Sequence, residues 1–481
     1  HPDAEIVACE ANGAPCVLAR HARVRFVTGR AHPASLFAHV ERVYVVDALV
    51  GFEALIRGIA VSCLGAPFYA GRGLTQDLGP TPPRTRADIT DLFAQTCLVG
   101  VRHVDPETGV ASDFSNTYAF LARQRACALV DGGPLRCVGF SPWKQTFIPA
   151  FLGAPQNDVR FGLGMRGSRT DALVLWGVRN ADHAKALGPG ARVMRMEDGF
   201  LRSVGLGSDS HVPASLVVDT RGIYFDPTRP SDLEHMLATE DFTAEEITRA
   251  AALRQRIVVL EISKYNVAAR AVLTLPPSAA GKEVALIIGQ VDDDASIKLG
   301  TRDVAGNLAL LRAVRAACPD AFLVYKPHPD VTSGNRAGNV PKAVTDTLVD
   351  LVVTDMSVAA CLRVATQVHT MTSLVGFEAL LRGLPVHVYG LPFYAGWGLT
   401  VDRHAHARRF RNRSLDELVA AALLRYPRYI HPRTGCMTTP ESIVDYLVGA
   451  RTRASASPLE HNFFVRYGRM VLAILGSRRR G

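Results

Sequence analysis

Short apolar runs alternate with Ala- and Glu-rich segments along most of the chain, and this alternation predicts strands followed by helices. The stretches 172–176 and 284–288 are almost wholly apolar, which is typical of strands buried in a parallel sheet. Segments 232–238 and 244–262, rich in Ala, Glu and Arg, are predicted helices. A Pro-rich linker at 275–281 divides this region, so the pattern predicts two parallel-sheet lobes facing each other across a cleft.

The same pattern predicts shorter elements elsewhere. Strands are expected at 24–28, 42–46, 61–64, 192–196, 215–219, 222–225 and 321–325, and helices at 34–40, 53–57 and 118–130. The last residues, 456–481, are apolar and aromatic with a basic end. They suit either an anionic membrane surface or a terminal helix that docks on its own domain.

One segment occurs twice. Residues 46–75 reappear, with substitutions, as residues 371–400, at a constant offset of 325 residues. This period exceeds the 20–50 residues of solenoid repeats, so it predicts two related modules. His1-Pro2-Asp3 matches residues 328–330, and the matching stretch of roughly 190 residues that precedes 328–330 has no counterpart before His1, so the first module is interpreted as N-terminally truncated. The predicted domains are a partial first module (1–135), two lobes of a second module (136–275 and 276–455) and a tail (456–481).

Charge and cysteine usage restrict the functional classes. The net charge of +9 suits phosphate-bearing partners or an anionic membrane, although an Arg-rich composition would give the same value without functional meaning. Nine cysteines without a Cys-x-x-Cys pair indicate free thiols in a reducing compartment and no zinc site. The apolar runs are strand-sized, so a cytoplasmic protein is expected, either free or peripheral on the inner membrane.

Two other functional classes are not supported. The Gly-x-Gly-x-x-Gly match at 162–167 precedes the strand 172–176 instead of following one, so a nicotinamide-binding site is not predicted. The aromatic residues are scattered and no basic stripe accompanies them, which argues against nucleic-acid binding.

Polar loops follow three predicted strands of the second module. Because ligands of open α/β sheets bind at the carboxyl ends of strands, all three loops are expected to face one crevice. The alternatives are a helix cap for the first loop, a solvated acidic turn or a metal-binding DxD-like cluster for the second, and a structural histidine for the third. The loops are Met196-Glu197-Asp198-Gly199, Gly289-Gln290-Val291-Asp292-Asp293-Asp294-Ala295-Ser296 and Lys326-Pro327-His328-Pro329.

A fourth polar segment lies in the repeat. Thr372 and Ser373 end an apolar stretch, and Gly376 is predicted to open a helix with Glu378 in its first turn. The free N–H groups and macrodipole of a helix N-terminus favour an anion, and the two hydroxyls can add donors to a phosphate. The alternative is an ordinary N-cap.

Taken in order, these motifs resemble those of the KpsC family, bacterial capsule polysaccharide export proteins with β-Kdo transferase activity. The phrases Gly-Gln-Val-x-x-Asp-Ala-Ser-Ile (289–297) and Pro-Phe-Tyr-Ala-Gly-Trp-Gly-Leu-Thr (392–400) extend this resemblance, which covers nearly the whole chain. The acidic-Gly, His-Pro and Ser/Thr elements are also similar to three motifs of bacterial sialyltransferases. The resemblance implies a GT-B fold with tandem modules and CMP-Kdo as the donor.

The resemblance further implies an acceptor and a setting. The acceptor would be a Kdo-primed lyso-phosphatidylglycerol, and other capsule assembly and export proteins would be partners at the inner membrane. By analogy the complete module would make the 2→7 linkage. The rival interpretations are a catalytically inactive capsule-assembly scaffold and a GT-B transferase that uses another nucleotide sugar.

Roles can be assigned on this basis. A β product from CMP-Kdo requires retention, and retention by double displacement needs a carboxylate nucleophile, assigned to Asp294 with Asp292 as the runner-up. Glu197 or Asp198 is the candidate base. The leaving CMP phosphate would be stabilised by His328, Ser373 and the helix start at Gly376, with Gln290, Ser296, Lys326, Thr372 and Glu378 completing the CMP site. No metal cofactor is expected to be required.

The first module is expected to be catalytically silent. It has Asp47-Ala48 where the second copy has Thr372-Ser373, which places a carboxylate where a phosphate should bind. Restoring Thr-Ser at these two positions is not expected to create activity.

Overall fold

The computed structural model describes residues 4–9, 23–27, 33–128, 134–154, 157–162, 172–180, 182, 192–203, 211–264, 272–334 and 336–456. The motif at residues 1–3, most of the glycine motif at 162–167 and the tail from residue 457 lie outside these residues. The chain forms two compact units, one ending at Tyr118 and the other beginning at Ala119. The second unit therefore begins earlier than the predicted boundary at 135.

The first unit consists of short strands and helices. β3, β4 and β5 form a parallel sheet in that order, β1 pairs in parallel with β2, and β6 pairs antiparallel with β7. The strands are β1 (Ile6–Cys9), β2 (Val24–Val27), β3 (Arg42–Val45), β4 (Ala60–Cys63), β5 (Gln76–Asp77), β6 (His103–Val104) and β7 (Ala111–Ser112). The helices are α1 (Pro33–Leu36), a 3₁₀ turn (Phe37–His39), α2 (Val50–Ile56), α3 (Ile89–Phe93), a π-helix (Ala94–Val99) and α4 (Phe114–Ala128), which continues into the second unit.

The repeated segment has the same local structure in both copies. The Tyr69 hydroxyl donates to the Ala48 carbonyl at 2.5 Å, and the Tyr394 hydroxyl donates to the Ser373 carbonyl at 2.5 Å. The pattern continues with the Arg84 guanidinium donating to Ala70 and that of Arg409 to Ala395, and with Gly71 N–H donating to Asp77 and Gly396 N–H to Asp402. Each pair is separated by 325 residues, so the sequence repeat is also a structural repeat.

The second unit contains two six-stranded sheets. The first has the order β19-β12-β11-β10-β8-β9, with four parallel strands and an antiparallel pair at one edge. Its strands are β8 (Leu135–Val138), β9 (Val159–Phe161), β10 (Ala172–Trp176), β11 (Val193–Asp198), β12 (Ser215–Asp219) and β19 (Pro427–Tyr429). Because β19 pairs with β12, the chain returns to the first lobe near its end, which the predicted division at 276–455 does not include.

The second sheet is parallel throughout and has the order β15-β14-β13-β16-β17-β18. Its strands are β13 (Val284–Ile288), β14 (Phe322–Lys326), β15 (Leu351–Val352), β16 (Gln367–Thr370), β17 (Val386–Val388) and β18 (Val401–Asp402). All five residues of β13 are buried, as predicted for a strand covered on both faces. The strand order reverses between β13 and β16, the position where open α/β sheets bind ligands.

Helices cover both sheets. They are α5 (Pro142–Gln145), α6 (Ile148–Phe151), α7 (Asp232–Thr239), α8 (Ala244–Val259), a 3₁₀ turn (Pro277–Ala279), α9 (Ala295–Gly300), α10 (Asn307–Ala317), α11 (Pro329–Thr332), α12 (Lys342–Leu348), α13 (Val358–Val364), α14 (Leu374–Leu381), α15 (Leu415–Val419), a π-helix (Ala420–Arg425) and α16 (Pro440–Ala456). Of the helices in the described ranges, none is both long and apolar enough for a membrane crossing.

The predicted strand 222–225 is wrong. The Asp219 carboxylate at the end of β12 accepts hydrogen bonds from the N–H groups of Arg221 and Gly222, at 2.9 and 2.7 Å. These bonds turn the chain directly after β12, so the apolar residues that follow lie in a turn.

The two lobes of the second unit share one core beneath the cleft. Phe200, from the loop after β11, stacks on Phe393 of the second lobe with ring centroids 4.7 Å apart, and it also contacts Phe377 of α14. All three rings are almost fully buried. This shared core holds the carboxyl ends of the two sheets facing each other.

Candidate active site

A cavity of about 1720 Å³ lies between the two lobes of the second unit. One wall comes from the carboxyl ends of β10 and β11, and the other from the loops that follow β13, β14, β15 and β16. The three polar loops and the repeat segment therefore face one crevice, as predicted. The predicted site residues that line it are Glu197, Asp198, Gln290, Asp294, Ser296, Lys326, His328, Thr372, Ser373 and Glu378.

Asp294 lines this cavity and lies at the N-cap of α9. Its Oδ1 atom accepts hydrogen bonds from the N–H and the hydroxyl of Ser296, at 2.9 and 2.8 Å. The predicted Asp-x-Ser motif is thus a local hydrogen-bonded unit that fixes the carboxylate. Both contacts involve Oδ1. Oδ2 forms no hydrogen bond with another residue in the described part of the chain.

The neighbouring aspartates make different contacts. Asp292 accepts the N–H of Asn307 at 3.1 Å, at the beginning of α10, and it is not among the described residues that line the cavity. Asp293 forms an ion pair with Arg336 at 2.9 Å. The three carboxylates therefore have different partners. Of the two candidate nucleophiles, Asp294 lines the cavity and Asp292 is not among its described lining residues.

Gln290 connects the loop after β13 to the loop after β16. Its side-chain carbonyl accepts the Thr372 N–H at 2.8 Å, and its side-chain amide donates to the Thr372 hydroxyl at 2.9 Å. The same hydroxyl lies 3.3 Å from that of Ser296. These residues hold the two loops together beside Asp294. The sequence predicted them as donor-binding residues, and the contacts seen here are between the loops.

His328 lies at the N-cap of the short helix α11. Its Nδ1 atom accepts the Asp330 N–H at 3.2 Å, so a neutral ring carries its proton on Nε2. Burial lowers the pKa of the imidazole, while the carboxylates of Asp330 and Asp294 act in the opposite direction. His328 and Asp294 are therefore close enough to interact electrostatically within one cavity.

The helix at the repeat begins earlier than predicted. Ser373 is its N-cap and accepts the Val375 N–H at 3.2 Å, so α14 begins at Leu374 and not at Gly376. Gly376 does not belong to the described cavity lining. A side chain at Gly376 would collide with the Tyr394 hydroxyl, which explains the glycine by packing and not by phosphate contact.

Glu378 also differs from its predicted position. It is the fifth residue of α14, outside the first turn, and only 7% of its surface is exposed. Its Oε1 atom accepts the Lys264 N–H at 3.0 Å, and burial raises its pKa. The carboxylate therefore fixes the segment that ends the first lobe, while its surface still borders the cavity.

The first lobe contributes Glu197 and Asp198. Burial and the neighbouring Asp198 carboxylate raise the pKa of Glu197 to about 7, partly offset by the Asp198 N–H and by Lys264 and Lys144. Asp198 forms an ion pair with the buried Arg202 at 2.7 Å. The two acids thus differ, since Glu197 can exchange a proton near neutral pH and Asp198 is held by a cation.

Sequence reasoning missed several cations in the cavity wall, among them Lys144 and Lys264. The Lys144 ammonium lies 3.1 Å from the centroid of the Trp176 ring, and burial lowers its pKa to about 8. Neither lysine belongs to a motif. Their position after β8 and after α8 becomes informative only when the sheets are assembled.

Two solved structures resemble this chain in fold and sequence. The β-Kdo 2,7 transferase of Thermosulfurimonas dismutans KpsC is 34% identical, with a TM-score of 0.56 over 66% of this chain and 100% of that one. The β-Kdo 2,4 transferase of the same KpsC is 32% identical, with a TM-score of 0.57 over 66% of this chain and 99% of that one. The predicted fold class, two parallel-sheet lobes as in GT-B glycosyltransferases, is confirmed.

Two curated relatives also match the sequence. The capsule polysaccharide modification protein LipA of Neisseria meningitidis serogroup B is 38% identical over an alignment of 467 residues that covers 93% of this chain. The chain spans 65% of the length of LipA. The lipopolysaccharide-processing protein LpsZ of Rhizobium meliloti is 44% identical over an alignment of 305 residues that covers 60% of this chain and 69% of LpsZ.

The family match covers both units. Residues 10–102 and 171–429 match the family described as "Capsule polysaccharide biosynthesis protein". These ranges include the structural repeat and every polar loop of the cavity. The chain belongs to the capsule polysaccharide biosynthesis protein family.

Proposed function

We propose that the second unit is a retaining β-Kdo glycosyltransferase that uses CMP-Kdo to extend a Kdo chain on (lyso)phosphatidylglycerol. The observation that carries this proposal is the single cavity lined by Asp294, His328 and Glu197. It is supported by the likeness to two KpsC β-Kdo transferases at 34% and 32% identity. A nucleophile, a donor to the leaving group and a base are the three groups that double displacement requires.

In the first step, the carboxylate of Asp294 attacks the anomeric carbon of CMP-Kdo. The bond from that carbon to the phosphate oxygen breaks, and CMP leaves with the bonding electron pair. The Nε2–H of His328 and the Ser373 hydroxyl, both in the cavity wall, would stabilise the charge that develops on the phosphate. The sugar is then held as an ester of Asp294.

In the second step, a hydroxyl of the acceptor attacks the anomeric carbon from the opposite face and displaces Asp294. The proton of the acceptor hydroxyl passes to Glu197, whose pKa of about 7 suits a general base at neutral pH. Two inversions return the β configuration. We assign the base to Glu197 because Asp198 is held in its ion pair with Arg202.

Individual cations in the cavity wall can pair with the anionic groups of this donor. CMP-Kdo carries a phosphate and a carboxylate, and the lining includes four lysines and several arginines. The lining also includes seven Asp and Glu side chains, so the wall is mixed in sign, and its cations act as local partners for the two anionic groups of the donor. The lysines are Lys144, Lys264, Lys298 and Lys326.

We further propose that the reaction takes place on the cytoplasmic face of the inner membrane, among other capsule assembly and export proteins. The net charge of +9 supports attraction to anionic lipid. The first unit is proposed to be a catalytically silent scaffold. Asp47, the counterpart of Thr372, uses its carboxylate to accept the Ala66 N–H at 3.1 Å, a structural contact.

Incubation of the 481-residue chain with CMP-Kdo and a synthetic Kdo-primed acceptor tests the proposal. We expect a product extended by one β-Kdo residue, with the 2→7 linkage read by NMR and with transfer unaffected by EDTA. Absence of transfer by the folded protein would favour the scaffold interpretation. Transfer from a different nucleotide sugar alone would favour another GT-B activity.

His328→Ala is expected to lower kcat by about 10²–10³, because one donor to the leaving phosphate is lost. His328→Asn separates catalysis from folding, since asparagine is a good N-cap and can keep the contact with the Asp330 N–H. Steady-state kinetics and thermal unfolding of both variants provide the check. A His328→Asn variant with the wild-type kcat would show that the imidazole acts only as a cap.

A further inference from the structure

Lys326 is a buried cation directed at the cavity. It ends β14, and although it lines the cavity only 6% of its surface is exposed. Within the described ranges, no hydrogen bond or ion pair is assigned to its ammonium group. Burial lowers the pKa of this group, and the Cys361 thiol of α13 and the Asp355 carboxylate act against that effect. The ammonium therefore lacks the partner that a buried charge needs.

Asp355 follows the neighbouring strand. In the parallel pairing of β14 and β15, Tyr325 lies opposite Val352, so Lys326 lies near the beginning of the loop after β15. That loop carries Asp355 into the lining of the same cavity. In the described structure the carboxylate and the Lys326 ammonium interact electrostatically without forming an ion pair. A donor-only group and an acceptor-only group thus border one end of the cavity.

We propose that Lys326 and Asp355 recognise the base of the donor nucleotide and select cytosine over uracil. This inference rests on the proposed function and specifies its donor site. Cytosine presents an amino donor beside acceptor atoms, whereas uracil has a carbonyl acceptor in place of the amino group. Asp355 can accept from the cytosine amino group while Lys326 donates to the ring nitrogen or carbonyl. With uracil, a carbonyl would face the carboxylate, which would have no donor, and the ring nitrogen would carry a proton that the Lys326 ammonium cannot accept.

The surroundings favour a base over a phosphate at this end. A phosphate near Asp355 would meet a like charge, which is unfavourable. The hydroxyl donors of Thr372 and Ser373 follow β16, which lies on the other side of β13 from β14 and β15. The nucleotide would therefore span the sheet, with its phosphate near β16 and its base near β15.

Calorimetric titration of the 481-residue chain with CMP and with UMP tests the inference. The wild-type protein is expected to bind CMP more tightly, and Asp355→Asn is expected to reduce the ratio of the two dissociation constants about tenfold or more, because an amide can pair with either base. Asp346→Asn is the matched control, since Asp346 pairs with Lys342 on α12, outside the cavity lining found among the described residues. This control should keep the wild-type ratio.

A second variant separates base recognition from phosphate binding. Lys326→Met is expected to weaken the binding of cytidine, which has no phosphate, about as strongly as it weakens the binding of CMP. An unchanged affinity for cytidine, or an unchanged CMP to UMP ratio in Asp355→Asn, would overturn the inference while leaving the transferase proposal intact. Failure of the wild-type protein to bind either nucleotide would overturn both.

Discussion

Replacement of Asp294 by Asn is expected to lower kcat for Kdo transfer by about 10⁴ or more, since loss of a covalent nucleophile is among the largest single effects in catalysis. The side-chain carbonyl of Asn can still accept the Ser296 N–H, so the N-cap of α9 and the fold should be kept. Initial rates with CMP-Kdo and the Kdo-primed acceptor measure the loss. Mass spectrometry of the wild-type protein with CMP-Kdo alone should find Kdo attached to a peptide that contains Asp294.

The neighbouring acid is the matched control. Asp293 also lines the cavity, but its carboxylate forms an exposed ion pair with Arg336. Asp293→Asn should stay within about threefold of the wild-type rate, because exposed pairs contribute little. A tenth or more of the wild-type rate in Asp294→Asn, or an adduct on another peptide, would remove Asp294 from the nucleophile role.

The buried strands are the part of the fold that the sequence predicted best. The limits of β10, β12 and β13 match the predicted ranges because each is a compact apolar run bounded by polar residues. The end of α8 and the start of α14 differ from prediction by three and two residues. α8 ends before Glu261, which has a positive φ, and α14 begins at the side-chain cap of Ser373. β19 was not predicted, because a three-residue strand has no periodicity and its partner β12 is distant in sequence.

The site was predictable at the level of loops and less so at the level of atoms. The rule that ligands bind at the carboxyl ends of strands places Asp294, His328 and Ser373 in one crevice, and the structure agrees. The same rule cannot show what each side chain contacts. Glu378 accepts a hydrogen bond from Lys264, which lies 114 residues earlier in the chain. Asp292 accepts one from Asn307, which belongs to none of the predicted motifs.

Replacement of Glu197 by Gln is expected to slow resolution of the glycosyl-enzyme about 10²–10⁴-fold and to leave its formation largely unchanged. A base must be ionised to accept the acceptor proton. With a pKa of about 7 for Glu197, kcat/KM for the acceptor should rise with pH up to about 7 and then level off. Measuring transfer rates across this range, and the amount of trapped Kdo adduct in Glu197→Gln, provides the check.

Asp198→Asn distinguishes the two candidate bases. The Asp198 carboxylate raises the pKa of Glu197. In Asp198→Asn the rising part of the pH profile should therefore still be seen, but at lower pH. Stability should fall, on the order of 3 kcal/mol, because the buried Arg202 loses its partner. If the rising part instead disappears in Asp198→Asn and persists in Glu197→Gln, then Asp198 is the base, and the ion pair with Arg202 must open during the reaction.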